Sequence, residues 1–339
     1  MILMDLSVRS KAPVRISFAG GGTDVFPYSE EKGGCVISTS INKYSFTSLN
    51  INDSNSIKLG SNTHKDIILD LVEEVVLDGK FDLAKCVIAE MKPEKGMNLF
   101  FRNDVVPRSG LGSSAAAFVS LLGAFTKAYN KNWSKEEIAK MAFDFERNKL
   151  KINGGKQDQY ASAIGGLNFI EFKENSVKVN PLNLTSGTMN ELEKNIVLVF
   201  TQKRESQGND ILSDQINSVE NKNKDVVSAL DVAKQITINM KSALKNSDLE
   251  QFGRLLHEGW IEKKKYSKMV SNPFIDKLYE KAISVGAIGG KISGAGGGGH
   301  MIFYCYPDKE VKVQQKLESL GAKVIPFSFE FKGLQTWRV

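Results

Sequence analysis

A glycine-bearing turn opens directly onto a run of small residues at Ser109-Gly110-Leu111-Gly112-Ser113-Ser114-Ala115. Phosphate binding is the chemistry that such a junction can do. Glycines let the backbone turn tightly and approach a ligand closely, and the free N–H groups of the next helix's first turn then face an anion, aided by the helix dipole. Ser113 and Ser114 add hydroxyls able to reach a phosphate or its Mg²⁺. Two further glycine-rich segments accompany this one. Residues 12–24 alternate like a strand, carry Arg15, and run into Gly20-Gly21-Gly22 followed by Thr23 and Asp24. Residues 291–300 carry Gly294, Gly296 and Gly297 and lead into an apolar run at 301–306. Three such segments in one chain exceed what turns alone require.

Elements on either side must hold these loops. Phe118, Leu121, Leu122, Phe125 and Tyr129 recur at spacings of three and four, which predicts a helix over about 112–130 with one face in a core. A strand near 97–103 leads into its loop. Two better-known nucleotide patterns fail here. No Gly-x-x-x-x-Gly-Lys-Ser/Thr occurs, which excludes a Walker-type loop. Residues 294–299 do fit Gly-x-Gly-x-x-Gly, but the strand-like His300-Met301-Ile302-Phe303-Tyr304 follows where a dinucleotide fold needs a helix.

In this order, the three segments resemble the motifs of the GHMP small-molecule kinases, the superfamily of galactokinase, homoserine kinase, mevalonate kinase and phosphomevalonate kinase. The Gly20-Gly21-Gly22-Thr23-Asp24 segment and Gly154-Gly155-Lys156-Gln157-Asp158-Gln159-Tyr160 look most like the bacterial D-glycero-D-manno-heptose 7-phosphate kinases. The likeness spans roughly residues 11–305. It implies an α+β chain with a ribosomal-S5 domain 2-like N-terminal domain, a ferredoxin-like C-terminal domain and the site between them. ATP and Mg²⁺ are the implied cofactors, and Ser109 to Ala115 the implied triphosphate cradle. The implied reaction is phosphorylation of the anomeric hydroxyl of a heptose 7-phosphate, giving a 1,7-bisphosphate for nucleotide-activated heptose.

The resemblance also assigns roles. Asp158 matches the aspartate beside the acceptor hydroxyl and is the expected base; an ordinary carboxylate is weakly basic at neutral pH, so late proton acceptance and orientation suit it best. Arg15 stands where galactokinase-like members carry arginine, and a permanent cation there favours a charged neighbouring carboxylate and stabilises the transferring group. Glu146, twelve residues before Asp158, is the expected Mg²⁺ carboxylate with Ser114 as hydroxyl partner, since Mg²⁺ takes hard oxygens and keeps several waters. Asp24 matches the acid that grips sugar hydroxyls, with Gly21, Gly22 and Thr23 around it. Gly294, Gly296 and Gly297 belong to a loop that lies near phosphates and substrate. A substrate phosphate needs a basic anchor, for which Lys156, Lys203 and Arg204 are candidates. Other sugar 1-kinases, a non-catalytic sugar sensor and an RNA-binding module are the competing readings. The last lacks a clustered basic and aromatic surface.

Composition agrees with an ordinary globular enzyme. The 339 residues suffice for about two domains, placed here at 1–188 and 189–339. An apolar share of 41% and a charged share of 25% argue against disorder. The net charge of +6 is spread along the chain, so it does not call for nucleic acid. Cys35, Cys86 and Cys305 lack metal-type spacing and read as buried thiols of a reduced compartment. His64, His257 and His300 are too scattered for a metal site. No segment has the roughly eighteen apolar residues of a membrane span, and no secretory leader is evident. A cytoplasmic monomer or homodimer acting on a sugar phosphate, without nucleic acid or membrane, is the expectation.

The coarse pass predicts strands at 8–18 and 35–51, a hairpin turn at Asn52-Asp53-Ser54-Asn55 before Ile57 and Leu59, and a helix over 65–77. A helix at 134–147, strands at 166–172 and 176–180, and a connector from 181 to 189 follow. Beyond these come a strand at 196–201, helices to about 285, strands near 287–293 and 300–306, a helix at 308–320 and a final strand. The mixture lacks steady βαβ alternation, hence α+β.

Overall fold

A computed structural model describes residues 6–62, 65–72, 74–174, 176–204 and 208–339. His64 and Glu73 lie outside them, as do Glu205 and Ser206 after the Lys203-Arg204 pair. Twelve strands form two sheets among the described residues. The first contains β1 (Ser7–Ala19), β2 (Gly34–Ile51), β3 (Ser56–Ser61), β4 (Ile67–Asp70), β5 (Met97–Asn103), β6 (Leu167–Lys173), β7 (Ser176–Pro181) and β12 (Gln335–Arg338). The second is β11-β8-β10-β9, built from β8 (Ile196–Phe200), β9 (Ala287–Ile292), β10 (His300–Cys305) and β11 (Lys323–Val324).

The long strand β2 organises the first sheet. Its first part pairs with β6, its later part with β5, and β1 runs antiparallel along it. Helices α3 (Ser113–Ala128) and α5 (Gln157–Ile164) pack across β1 and β2. The buried stripe of α3 includes Phe118, Leu121, Leu122 and Phe125, all at or below 1% exposure, as the three-and-four spacing requires. Helix α4 (Lys135–Asp144) starts on a capping box between Ser134 and Glu137 and runs into one π-helical turn, Phe145–Lys149. Helices α7 (Gly208–Glu220), α8 (Lys224–Lys245), α9 (Leu249–Lys263), α10 (Pro273–Val285) and α11 (Glu310–Glu318) belong to the C-terminal half. The two halves share a core: Phe18 of β1 meets Phe252 of α9 edge-on at 5.3 Å, and Phe252 meets Tyr304 of β10 at 5.2 Å. That aromatic chain fixes β1 against the second sheet, and β1 carries Arg15.

Three local expectations fail, two of them to tertiary pairings and one to a capped helix. Residues 65–77 do not form a helix; Ile67–Asp70 is an edge strand paired with β3, with Ile67 and Leu69 partly covered and Ile68 70% exposed. The β-branched pair Ile67-Ile68 and the open edge of β3 outweigh helical spacing. The turn at 52–55 exists but closes no hairpin, because β5 inserts between β2 and β3 and pairs with β3 in parallel. The 181–189 connector contains the start of α6 (Ser186–Lys194), capped by Thr185, so residue 188 lies in that helix's first turn. Helices α1 (Tyr28–Glu31), α2 (Asp82–Met91) and α5 are additions to the expected set. Cys35, Cys86 and Cys305 are free and buried, as expected. Among the described residues no helix is long and apolar enough to cross a membrane.

Candidate active site

A cavity of about 720 Å³ is walled by all three glycine-rich segments and by side chains of both halves. Its central glycine loop, Ser109 to Gly112, ends at Gly112, whose φ of +73° suits the missing side chain and turns the chain into α3. Gly110, Gly112, Ser113, Ser114 and Ala115 line the cavity, with the first-turn N–H groups of α3 at this end of the helix. Ser109 and Leu111 support it from behind. The Ser109 carbonyl accepts from His300 N–H at 3.0 Å, and Leu111 is fully buried while its carbonyl accepts from Arg15 N–H at 3.0 Å. The third motif is thereby fastened to the first: Ser293 Oγ donates to the Gly110 carbonyl at 2.9 Å.

Arg15 and Asp158, 143 positions apart, meet beside this loop. Arg15 Nε donates to Asp158 Oδ1 at 2.8 Å, its Nη2 lies 2.6 Å from the same oxygen, and its Nη1 donates to the Gly110 carbonyl at 2.7 Å. A guanidinium's fixed fork is suited to holding a carboxylate and a loop together. A Cβ on Gly112 would stand 3.1 Å from Asp158 Oδ2, so the carboxylate lies against the phosphate loop itself. Asp158 sits in the first turn of α5, a rigid support.

Glu146 points inward from the π-helical turn. Ser114 Oγ donates to one carboxyl oxygen and Gln159 Nε2 to the other, both at 2.5 Å. Burial pushes its carboxyl up to about 7, opposed by those two hydrogen bonds and reinforced by the nearby charge of Asp158. Serine and carboxylate oxygens side by side are a hard-oxygen donor set of the kind Mg²⁺ takes with waters and phosphates. Among the described residues there is no group of three or more His, Cys, Asp or Glu side chains able to hold a metal.

Asp24 lies at the other side of Asp158. It accepts from Gly22 N–H at 3.0 Å, from Gln157 N–H at 3.2 Å and from Gln157 Nε2 at 3.1 Å on both oxygens. Burial raises its proton affinity and the charge of Asp158 adds to this. Gly21 and Gly22 line the cavity beside it. Thr23 does not; its hydroxyl is fully buried between the Gly20 and Cys35 carbonyls and holds the loop's shape.

The remaining expected residues divide. Gly294 lines the cavity, whereas Gly296 and Gly297 pack on Val270, with Gly297 N–H donating to its carbonyl at 2.9 Å. Lys156 is not among the residues lining the cavity and is bonded to Glu30 at 2.6 Å and the Glu174 carbonyl at 2.9 Å. The carboxylate of Glu30, close in space though far in sequence, captures it. Lys203 is exposed and off the cavity wall; Arg204 is on it. Lys263 and Lys291, which the sequence reading missed, are buried cations on the same wall. The run Lys263-Lys264-Lys265 looks like solvated charge, yet helical spacing from Phe252 through Leu256 and Trp260 leads onto Lys263 and not its neighbours. His300 is a buried support, lowered to about 4 by burial and bonded to the Ser109 carbonyl.

A glycine loop opening onto a helix N-terminus, an acid fixed by an arginine beside it, and a hard-oxygen pair are the parts that a phosphotransferase site of the small-molecule kinase class requires. Comparison with known proteins agrees. The models for the GHMP kinases N terminal domain and GHMP kinases C terminal match residues 81–166 and 240–323. The chain is 35% identical, over 98% of its length and 99% of the relative's, to a D-glycero-alpha-D-manno-heptose 7-phosphate kinase of Campylobacter jejuni. A crystal structure titled as a D-glycero-D-manno-heptose 1-phosphate kinase from Bacteroides thetaiotaomicron is 32% identical and superposes with a TM-score of 0.81, covering 98% of this chain and 99% of that one. Lactococcus lactis galactokinase, at 20% identity and a TM-score of 0.79 with 98% and 95% covered, shares the fold. The chain belongs to the GHMP kinase family, and it is an enzyme of that kinase class.

Proposed function

We propose that this enzyme phosphorylates the anomeric hydroxyl of D-glycero-D-manno-heptose 7-phosphate, using ATP with Mg²⁺, to give the 1,7-bisphosphate. The observation that carries the reading is the contact of Asp158 with both Arg15 and the Gly110–Gly112 loop, because it puts a proton-accepting oxygen where a phosphate cradle ends. The two heptose kinase names differ in where they put the phosphate. They agree on a phosphorylated heptose, and the buried Asp24 with its Gln157 amide supports a polyhydroxylated acceptor over a simple alcohol.

When bound, nucleotide and cation supply the phosphoryl group and shield its oxygens. Ser114 and Glu146 would hold the cation, and the first-turn amides of α3 would hold the phosphates. Asp158 orients the acceptor hydroxyl and takes its proton late in the transfer. Arg15 keeps Asp158 in place through two nitrogens and presents a permanent positive charge to the transferring group. Asp24 and Gln157 orient the sugar. One chain supplies every group named, so a monomer suffices. Sugar phosphate and ATP meet in the cytoplasm, the compartment this reading calls for.

A panel of sugars with and without a terminal phosphate, assayed by ADP release and product NMR beside Asp158→Asn, tests it. Turnover should require the phosphorylated heptose and fall by about 10²–10⁴ in the variant, with nucleotide affinity within about threefold. Preference for an unphosphorylated hexose would discard the substrate. Undiminished turnover in Asp158→Asn would discard the mechanism.

A further inference from the structure

The cavity holds more positive charge than its own acids neutralise. Arg15 is committed to Asp158. Lys291 Nζ donates to the Ser17 carbonyl at 2.8 Å. Arg204 keeps two guanidinium nitrogens, Nε and Nη2, without acceptors, and Nη2 would stand 3.2 Å from a Cβ on either Gly110 or Gly294. Arg204 therefore faces the phosphate-loop end of the cavity.

Lys263 is left over. It is the last residue of α9 and 6% exposed, and among the described residues its ammonium donates to no carbonyl or carboxylate. It lies over the face of the Tyr266 ring, 5.5 Å from its centroid. The charges it feels most are Asp24, then Arg204 and Arg15. Asp24 attracts it through space, but no hydrogen bond or ion pair joins the two, and the carboxylate is held instead by N–H groups of Gly22 and Gln157. A largely buried ammonium that opens onto a cavity and has no protein acceptor among the described residues is desolvated without compensation, and an anionic ligand in that cavity would supply the partner. Tyr266, whose ring it covers, is close to Gly22 on the Asp24 side and would stand 2.9 Å from a Cβ on Gly22. The ammonium thus belongs to the acceptor's end of the cavity, where a nucleotide held by the Gly110–Ala115 loop leaves it unserved.

We infer that Lys263 is the specificity-determining anchor for the phosphomonoester carried by the acceptor sugar. This rests on the reading of the acceptor as a sugar phosphate and adds the residue that selects it. A phosphate dianion supplies the acceptors Lys263 lacks and offsets the positive charge shared by Lys263, Lys291, Arg204 and Arg15.

Measure kcat/KM of the full chain for D-glycero-D-manno-heptose 7-phosphate and for the unphosphorylated heptose, in the wild type and in Lys263→Met and Lys263→Arg. The wild-type preference for the phosphorylated sugar should shrink at least ~30-fold in Lys263→Met, through KM for that sugar, and survive within about tenfold in Lys263→Arg. Heptose 7-phosphate should raise the melting temperature of the wild type and not of Lys263→Met, while ADP still raises that of both. If Lys263→Met no longer responds to ADP, Lys263→Gln, which keeps a donor without the charge, carries the same comparison. A preference that persists in the uncharged variant overturns the anchor alone. A rise in nucleotide KM instead of sugar KM reassigns Lys263 to ATP and overturns it too. A wild type indifferent to the sugar's phosphate overturns the substrate reading itself.

Discussion

Replacing Lys263 by Met should make the ligand-free enzyme more stable. Burial lowers this lysine from its ordinary 10.5 to about 8, with Asp24 opposing and Arg204 and Arg15 reinforcing the fall. That interval, at ~1.4 kcal/mol per pH unit, corresponds to an upper bound of roughly 3 kcal/mol of destabilisation while the lysine is charged in both states. The sign follows from proton counting. Between pH 8 and 10.5 the unfolded chain binds the proton and the folded one does not, so this residue's penalty is complete below pH 8 and fades as pH rises to 10.5. Met fills a similar volume without a charge and gives up only the contact with the Tyr266 ring. An unfolding entropy of ~2.1 cal/mol/K per residue for 339 residues is about 0.7 kcal/mol/K, which converts roughly 3 kcal/mol into ~4 °C. Calorimetry or fluorescence melting of both proteins across pH 7–10 reads the effect. Lys263→Met should melt ~4 °C higher at pH 7, with the advantage shrinking steadily toward pH 10. A variant that melts at or below the wild type at pH 7, or whose advantage ignores pH, refutes the picture of an uncompensated buried charge.

Other substitutions probe the loops and acids separately. Gly110→Ala places a Cβ 2.3 Å from the Ser293 carbonyl at a φ of +87°; the two loops must part, raising nucleotide KM at least ~10-fold and lowering stability by about 1–3 kcal/mol, as kinetics and denaturant melts would register. Gly155→Ala puts a Cβ 1.9 Å from Asp24 Oδ2, so sugar KM should rise at least ~10-fold with nucleotide affinity little altered in calorimetry. Glu146→Gln should raise the Mg²⁺ concentration for half-maximal rate by about tenfold or more. It also changes a pH profile: the folded wild type keeps the Glu146 proton up to about 7 whereas the unfolded chain releases it near 4.5. The wild type therefore loses up to ~3 kcal/mol from this group as pH rises through that window, and the Gln variant does not. Parallel melting curves of the two metal-free proteins between pH 5 and 8 would contradict this.

What the sequence made legible was local chemistry. The phosphate loop could be read directly because glycines, small residues and the apolar stripe of α3 each leave a short-range mark, and the strands β1, β2, β5, β8 and β10 alternate or run apolar for the same reason. The meeting of Arg15 with Asp158 leaves no local trace across 143 positions, and only the family resemblance brought them together. Lys156 was an anchor candidate because it lies two residues before Asp158, and Lys263 offered no such local cue; in space Glu30 captures Lys156, while α9 carries Lys263 to the cavity wall. The π-helical turn that aims Glu146 inward reflects packing after α4 and not any residue preference. The insertion of β5 between β2 and β3 likewise depends on partners far along the chain.

The division of charge across the cavity explains why it lies between two halves. Asp24, Asp82, Glu146 and Asp158 all precede residue 188, as do Arg15, Arg108 and Arg147, whereas Arg204, Lys263 and Lys291 come after it with no acid among the described lining residues of that part. Asp158 raises the proton affinity of both Asp24 and Glu146, so the acids repel one another less when either neighbour holds a proton, and Arg15 is the one cation bonded directly into their group. On the opposite wall, Lys263 lowers Lys291 and is itself lowered by Arg204. The cationic side is therefore self-repelling, and the negative charge of a phosphorylated substrate and a nucleotide would relieve it. The strain of holding like charges together is kept small by the shared Phe18–Phe252–Tyr304 core, which fixes the walls without help from the ligands. A cavity built in this way favours anionic ligands through selectivity and encounter rate more than through raw affinity, and their binding should weaken as ionic strength rises, least where a phosphate would meet the buried Lys263.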